Sequence, residues 1–124
     1  MKLRTLFIAN AVVQFLFGVG FLLTPVLVLG LFGAQTDATG NMLTRVAGGV
    51  IISLAIISWL GKDADSAAAQ DAMVWGFVFA HLQAGIFTLL SILNGTFNAL
   101  AWSAVIMDAF FVGAFLWVRM NKAK

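Results

Sequence analysis

The chain has 124 residues, of which 62% are hydrophobic and only 10% are charged, with seven Lys or Arg against five Asp. Soluble domains typically carry about 25% charged residues, so these side chains are too few to cover a water-exposed surface. The composition excludes an ordinary soluble enzyme, a disordered protein, a disulfide scaffold and a nucleic-acid-binding domain. It predicts one integral membrane domain over residues 1–124.

Four apolar segments are long enough to cross a bilayer, which takes about 20 residues. They cover residues 5–24, 42–60, 72–93 and 97–118. Each should be helical, because hydrocarbon offers the backbone no hydrogen-bond partners. Short connections then predict an all-α fold, a four-transmembrane-helix antiparallel bundle with a short interfacial helix after the first span.

Pro25 marks the end of the first span. It would remove a helical hydrogen bond to Phe21, and Thr24-Pro25 is typical of a helix start. We therefore expect the first span to stop near Thr24 and a short interfacial helix over residues 25–33 to end at Gly33. The alternative is one kinked helix that continues through Pro25.

The later spans carry their own start and stop signals. The second should be capped by Asn41 and end at Gly61, the third should be capped by Asp65 or Ser66, and the fourth should follow the Asn94-Gly95 turn and be capped by Thr96 or Asn98.

Small residues that allow close helix packing recur along the spans. Gly18 lies in the first span, and Gly48 and Gly49 lie in the second. The third has a stripe with a four-residue spacing, Gly76, Ala80, Ala84 and Thr88. These residues predict packing within the bundle, and the alternative is a face for a partner subunit.

Basic residues predict the orientation, because cytoplasmic loops carry an excess of Lys and Arg. Only Arg45 falls at the end of the bundle away from the termini. The others fall at the terminal end: Lys2, Arg4, Lys62, Arg119, Lys122 and Lys124. Both termini should therefore be cytoplasmic in a multi-pass protein, and membrane lipid, with anionic headgroups at that end, is the expected partner.

Strongly polar side chains fall near the middle of three spans. Counted at about 1.5 Å per residue, Gln14, His81 and Asp108 lie at nearly one depth, and Asn10 shares a helix face with Gln14. Such residues are costly in hydrocarbon and mark candidate functional sites. They would hold the polar head of an apolar ligand or relay protons, or else they only hold the helices in register through hydrogen bonds.

Arg45 is the fifth candidate site residue. It lies about one turn inside the non-cytoplasmic end of the second span, so its side chain should reach that interface or pair with Asp37. Alternatively, its length and some helix tilt bring it to Asp108 as a buried ion pair.

The sequence favours no catalytic chemistry. It has one His and no Cys or Glu, so the usual metal ligand sets are missing, and it has neither a phosphate-binding loop nor a nucleophile elbow. We therefore expect no catalytic residue, metal or cofactor, and a non-enzymatic role over a membrane enzyme.

The whole chain resembles a class of small bacterial four-helix membrane proteins of unknown function, loosely DoxX-like. The resemblance rests on the Pro25 break, the Leu31-Phe32-Gly33 end, the segment 45–49 and the Asn94-Gly95 turn. It implies a bacterial inner membrane and brings no mechanism.

Two functions follow. The first is an accessory subunit or a binder of an apolar, lipid-like ligand. The alternative is a proton-coupled transporter or channel that uses His81 and Asp108. One bundle leaves little room for an aqueous path, which a homo-oligomer or a larger membrane complex would provide.

Overall fold

The computed structural model describes residues 2–122, which form an all-α bundle as the sequence predicted. The helices are α1 Leu3–Leu23, α2 Pro25–Leu31, α3 Ala38–Gly61, α4 Ala67–Leu93 and α5 Trp102–Lys122, with a 3-10 turn over Ala99–Ala101 before α5. The long helices α1, α3 and α4, and the turn together with α5, are long and apolar enough to cross a membrane. They indicate a multi-pass membrane protein. Lys124, which the charge pattern assigns to the terminal end, lies outside the described residues.

The chain breaks at Pro25 as predicted, and the single kinked helix is wrong. Helix α1 ends at Leu23, and Pro25 is the first residue of α2. The backbone N–H of Thr24 donates to the carbonyl of Gly20 at 2.9 Å. Helix α2 ends at Leu31, two residues earlier than expected, and Gly33 follows with a φ of 81° that favours glycine.

Two of the predicted caps are confirmed and one is wrong. Ser66 accepts the N–H of Ala69 at the start of α4, and Asn98 accepts the N–H of Leu100 at the 3-10 turn. Asn41 does not begin α3, because Asp37 accepts the Gly40 N–H at 2.7 Å and starts the helix four residues earlier than the prediction.

The long helices form two pairs, α1 with α3 and α4 with α5. At the α1–α3 crossing a Cβ on Gly48 would lie 2.5 Å from the backbone N of Leu22 and 2.7 Å from the carbonyl O of Gly18. The two backbones therefore touch, which only a residue without a side chain permits.

A hydrophobic cluster fills the half of the bundle that carries the termini. Its centre is the ring group Phe7, Phe77 and Phe115, with centroids 5.6–5.9 Å apart. We call it the terminal core; its buried members are Leu3, Leu6, Phe7, Val74, Phe77, Val78, Phe111, Phe115 and Val118.

Candidate functional site

Five buried polar side chains meet beside the terminal core. Helix α1 supplies two of them, and α3, α4 and α5 supply one each. They are between 0% and 6% exposed: Asn10, Gln14, Ser58, His81 and Asp108. We call this group the polar cluster.

The hydrogen bonds of the polar cluster run in one direction. The carbonyl of Phe7 can only accept, so the hydroxyl of Ser58, 2.8 Å away, donates to it. The Ser58 oxygen then accepts from Asn10 Nδ2 at 3.1 Å. The Asn10 amide is thereby oriented, and its Oδ1 faces the other side of the cluster as an acceptor.

Asn10 Oδ1 accepts hydrogen bonds from two donors. Gln14 Nε2 donates to it at 3.0 Å, and His81 Nε2 lies 2.7 Å away. An oxygen acceptor at that distance requires a proton on His81 Nε2. The 3.5 Å separation between Gln14 Nε2 and His81 Nε2 is then a contact between two donors that share one acceptor.

His81 and Asp108 form a buried pair with no net charge. His81 Nδ1 lies 2.8 Å from Asp108 Oδ1, a distance that requires one proton between the two atoms. Because Nε2 is protonated, the pair is neutral whether the histidine or the carboxyl carries that shared proton. A neutral pair suits a low-dielectric interior, where an uncompensated charge is costly.

Two neighbours fix the geometry of this pair. The ring of Phe111 stacks on His81 with centroids 4.7 Å apart and planes 13° from parallel. On α4, a Cβ on Gly85 would lie 3.2 Å from the Cβ of Asp108. The glycine therefore lets α5 come close enough for the carboxyl to reach the imidazole.

Two acceptor atoms of the polar cluster remain unused. Gln14 Oε1 is buried and has no hydrogen-bond partner within residues 2–122. Asp108 Oδ2 makes no hydrogen bond within the same range. An unsatisfied buried acceptor costs about 1–3 kcal/mol, so the cluster is incomplete at Gln14 Oε1.

Three residues of the cluster also line a cavity of about 160 Å³ between the two helix pairs. Gln14, His81 and Asp108 line its polar end, and the rest of the wall is almost wholly apolar. The other lining residues are Val13, Phe17, Phe21, Phe32, Ile51, Leu54, Ala80, Ala84, Thr88, Phe97, Ala101, Ala104 and Met107.

The segments after α2 and before the 3-10 turn close the end of the cavity that lies away from the polar cluster. The rings of Phe32 and Phe97 lie 5.9 Å apart between centroids. Asn98 fixes this arrangement, because its Nδ2 donates to the carbonyl of Leu31 at 2.9 Å and its backbone N–H donates to that of Phe32 at 2.7 Å.

The structure brings four of the five predicted site residues together and leaves Arg45 apart. Arg45 is exposed, and its Nη1 donates to the carbonyl of Leu22 at the end of α1, at 2.7 Å. Within residues 2–122 it forms no ion pair. Both predicted pairings, with Asp37 and with Asp108, are therefore wrong, because Arg45 donates instead to a helix-end carbonyl.

Sequence reasoning missed Ser58 and the cavity. Nothing in the sequence separates Ser58 from Ser53, whose hydroxyl only bonds the carbonyl of Gly49 in its own helix. The predicted packing stripe of α4 also has another role, since Ala80, Ala84 and Thr88 line the cavity.

Comparison with protein-family models, with curated proteins and with solved structures finds no match. Among residues 2–122, no group of three His, Cys, Asp or Glu lies close enough to hold a metal ion. The arrangement can accept hydrogen bonds from a small molecule and surround an apolar body.

Proposed function

We propose that the protein binds an apolar, lipid-like ligand in the cavity, with the polar group of the ligand at the polar cluster. The observation that carries this proposal is an apolar cavity of about 160 Å³ with unused acceptors at one end. A cavity of about 150 Å³ admits a benzene molecule. Ala84 in the wall is exposed, which gives a ligand a path from the side.

The packing around the polar cluster supports binding over transport. A transported proton or solute needs access from both ends of the bundle. Here the cavity lies on one side of His81, whereas the terminal core lies on the other, with Phe7 and Phe77 1–2% exposed. The terminal core therefore blocks a path through the bundle past His81, as expected of a binding pocket.

Proton-coupled transport remains the second candidate, on the observation that His81 Nδ1 lies 2.8 Å from Asp108 Oδ1. It predicts a pH-driven flux in proteoliposomes that Asp108→Asn removes. We expect no such flux from the wild type, and a flux that depends on Asp108 would replace the binding proposal.

The proposed location is a bacterial inner membrane with both termini in the cytoplasm. The charge pattern supports it: Lys2, Arg4 and Lys62 lie at the end that carries the N-terminus and the α3–α4 loop. An accessory role in a larger membrane complex, or as a homo-oligomer, belongs to the same proposal. Reporter fusions at the two termini test the orientation.

Binding can be tested with fluorobenzene as the probe and ¹⁹F NMR of the purified full chain in lipid nanodiscs. Ala104→Leu fills the cavity, because Ala104 is half-buried in its wall. Ala109→Leu is the matched control, since Ala109 is exposed on the same helix. We expect saturable binding in the wild type and the control and its loss in Ala104→Leu. Equal signals from all three and from empty nanodiscs would refute the proposal.

A further inference from the structure

We propose that the polar group of the ligand is a hydrogen-bond donor, as in a phenol or an alcohol, and that Gln14 Oε1 accepts its hydrogen, with Asp108 Oδ2 as the second free acceptor of the polar cluster. This inference rests on the proposed function. It narrows the expected ligand from any apolar molecule to apolar molecules that carry a hydrogen-bond donor. Ketones, ethers and plain hydrocarbons of the same shape should bind less well.

The orientation of the Gln14 amide follows from a residue far from the cavity. The Phe7 carbonyl fixes the Ser58 hydroxyl, which fixes Asn10. Asn10 then presents Oδ1, so Gln14 must direct Nε2 toward it. The other end of the amide, which is left without a partner, is therefore the oxygen.

The carboxyl of Asp108 also presents a free acceptor, and this conclusion does not depend on the orientation of the Gln14 amide. His81 Nδ1 lies 2.8 Å from Oδ1, so the proton shared with His81 lies between these two atoms and not at Oδ2. The second oxygen, Oδ2, is thus an acceptor in either state of the pair. Both ring nitrogens of His81 are engaged, with Asp108 and with Asn10, so the imidazole offers a ligand no free donor.

These acceptors belong to side chains in the cavity wall that are 5% and 6% exposed. A ligand that supplies a donor removes the cost of an unsatisfied acceptor, whereas an acceptor or apolar ligand leaves that cost in place. The volume of about 160 Å³ limits the bound part to about one substituted ring.

The test compares 4-fluorophenol with 4-fluorotoluene, which differ by a hydroxyl in place of a methyl group of similar size. Affinities for the full chain in nanodiscs are measured by ¹⁹F NMR and corrected for partition into empty nanodiscs. We expect the phenol to bind the wild type about tenfold more tightly, the value of one net hydrogen bond.

Two variants test whether Gln14 causes the preference for 4-fluorophenol. Gln14→Met keeps the length of the side chain and removes the amide, and we expect it to lose most of the preference. Gln83→Met is the control, because Gln83 is exposed on α4 and does not line the cavity. Circular dichroism verifies that each variant is folded, and the wild-type comparison needs no variant.

The outcomes separate the two proposals. Equal corrected affinities of the two probes would refute the donor inference and leave the binding function intact. No saturable binding of either probe would refute both. A phenol preference that survives Gln14→Met unchanged would refute the assignment to Gln14.

Discussion

His81 shows how a buried polar residue is accommodated in an apolar bundle. Its ring nitrogens each lie within 2.8 Å of an oxygen, and one face is covered by Phe111. Ser58, two hydrogen bonds away, determines which ring nitrogen of His81 carries a proton. Ser58 is therefore a positioning residue that acts through Asn10.

The role of Ser58 predicts a spectroscopic change at His81. Since His81 is the single histidine in the chain, ¹⁵N-histidine labelling reports one site. We expect a protonated Nε2 at neutral pH in the wild type and in the control Ser53→Ala. Ser58→Ala frees the Asn10 amide to rotate, so the Nε2 proton signal should weaken. An unchanged spectrum in Ser58→Ala would contradict the positioning role.

Asp108 should contribute more to stability than an exposed carboxylate. Asp108→Leu leaves His81 without its partner in the interior, and we expect a loss of about 3 kcal/mol in the free energy of unfolding. Asp71→Leu is the comparison, because Asp71 pairs with Arg119 at 2.8 Å but is partly exposed, so its loss should be below about 1 kcal/mol. Equal losses in reversible detergent unfolding would refute this ranking.

Counting depth from the sequence located Gln14, His81 and Asp108 at one level, because rise per residue is nearly constant in a helix. The same counting failed for Arg45. Depth says nothing about the rotation of a helix or about free carbonyls nearby, and the Leu22 carbonyl is such an acceptor. The ligand or proton role of the polar cluster stays a prediction.

Among the elements, the α1–α3 pair depends on one glycine. The Gly48 backbone lies against that of Gly18 and Leu22, whereas Gly49 has no neighbour within 4 Å of an added Cβ. Gly48→Ala should force the helices apart and lower the free energy of unfolding by about 2 kcal/mol.

Gly49→Ala is the matched control and should not lower stability, because Ala fits there and is the better helix former. Thermal unfolding in detergent, monitored by circular dichroism, measures both variants. Equal melting temperatures for Gly48→Ala and the wild type would show that the helices do not touch at this point.

A loop carboxylate ties the N-terminal end of α1 to the α3–α4 loop. Hydrogen bonds from Lys62 at 2.6 Å and from Arg4 at 2.7 Å lower the pKa of Asp63 below its ordinary value of 3.8. The stabilising contribution is therefore present above pH 3.8 and is lost as the pH falls through the lowered pKa.

Carboxyl ¹³C NMR can follow this titration. In Arg4→Gln we expect the pKa of Asp63 to rise partway toward 3.8, and in Lys2→Gln, which removes a neighbouring charge outside these contacts, we expect little change. A titration that is the same in Arg4→Gln and the wild type would contradict the ion pair.

Helix boundaries were predictable where a residue type allows only one local backbone structure. Pro25 cannot donate a backbone hydrogen bond, so the break at Thr24 followed directly. Asn41 is not the cap because Asp37, four residues earlier, is an equally good acceptor. Asp37 accepts a hydrogen bond from the first turn, so the helix starts there. Local propensity does not rank two such caps.

At the scale of the whole molecule, the fold class follows from composition, but the cavity does not. Four apolar spans with short loops leave little choice besides a bundle. A cavity, however, is the space that side chains of neighbouring helices leave unfilled. Ala80 and Ala84 fit a packing seam or a pocket wall equally well, and only the helix positions decide between them.

The most direct measurement is native mass spectrometry of the protein released gently from its own membrane, with Ala104→Leu and Ala109→Leu beside the wild type. The binding proposal predicts one defined extra mass of a small apolar molecule in the wild type and in Ala109→Leu, and its absence in Ala104→Leu. Wild-type protein without any such mass, or a mass that Ala104→Leu retains, would contradict it.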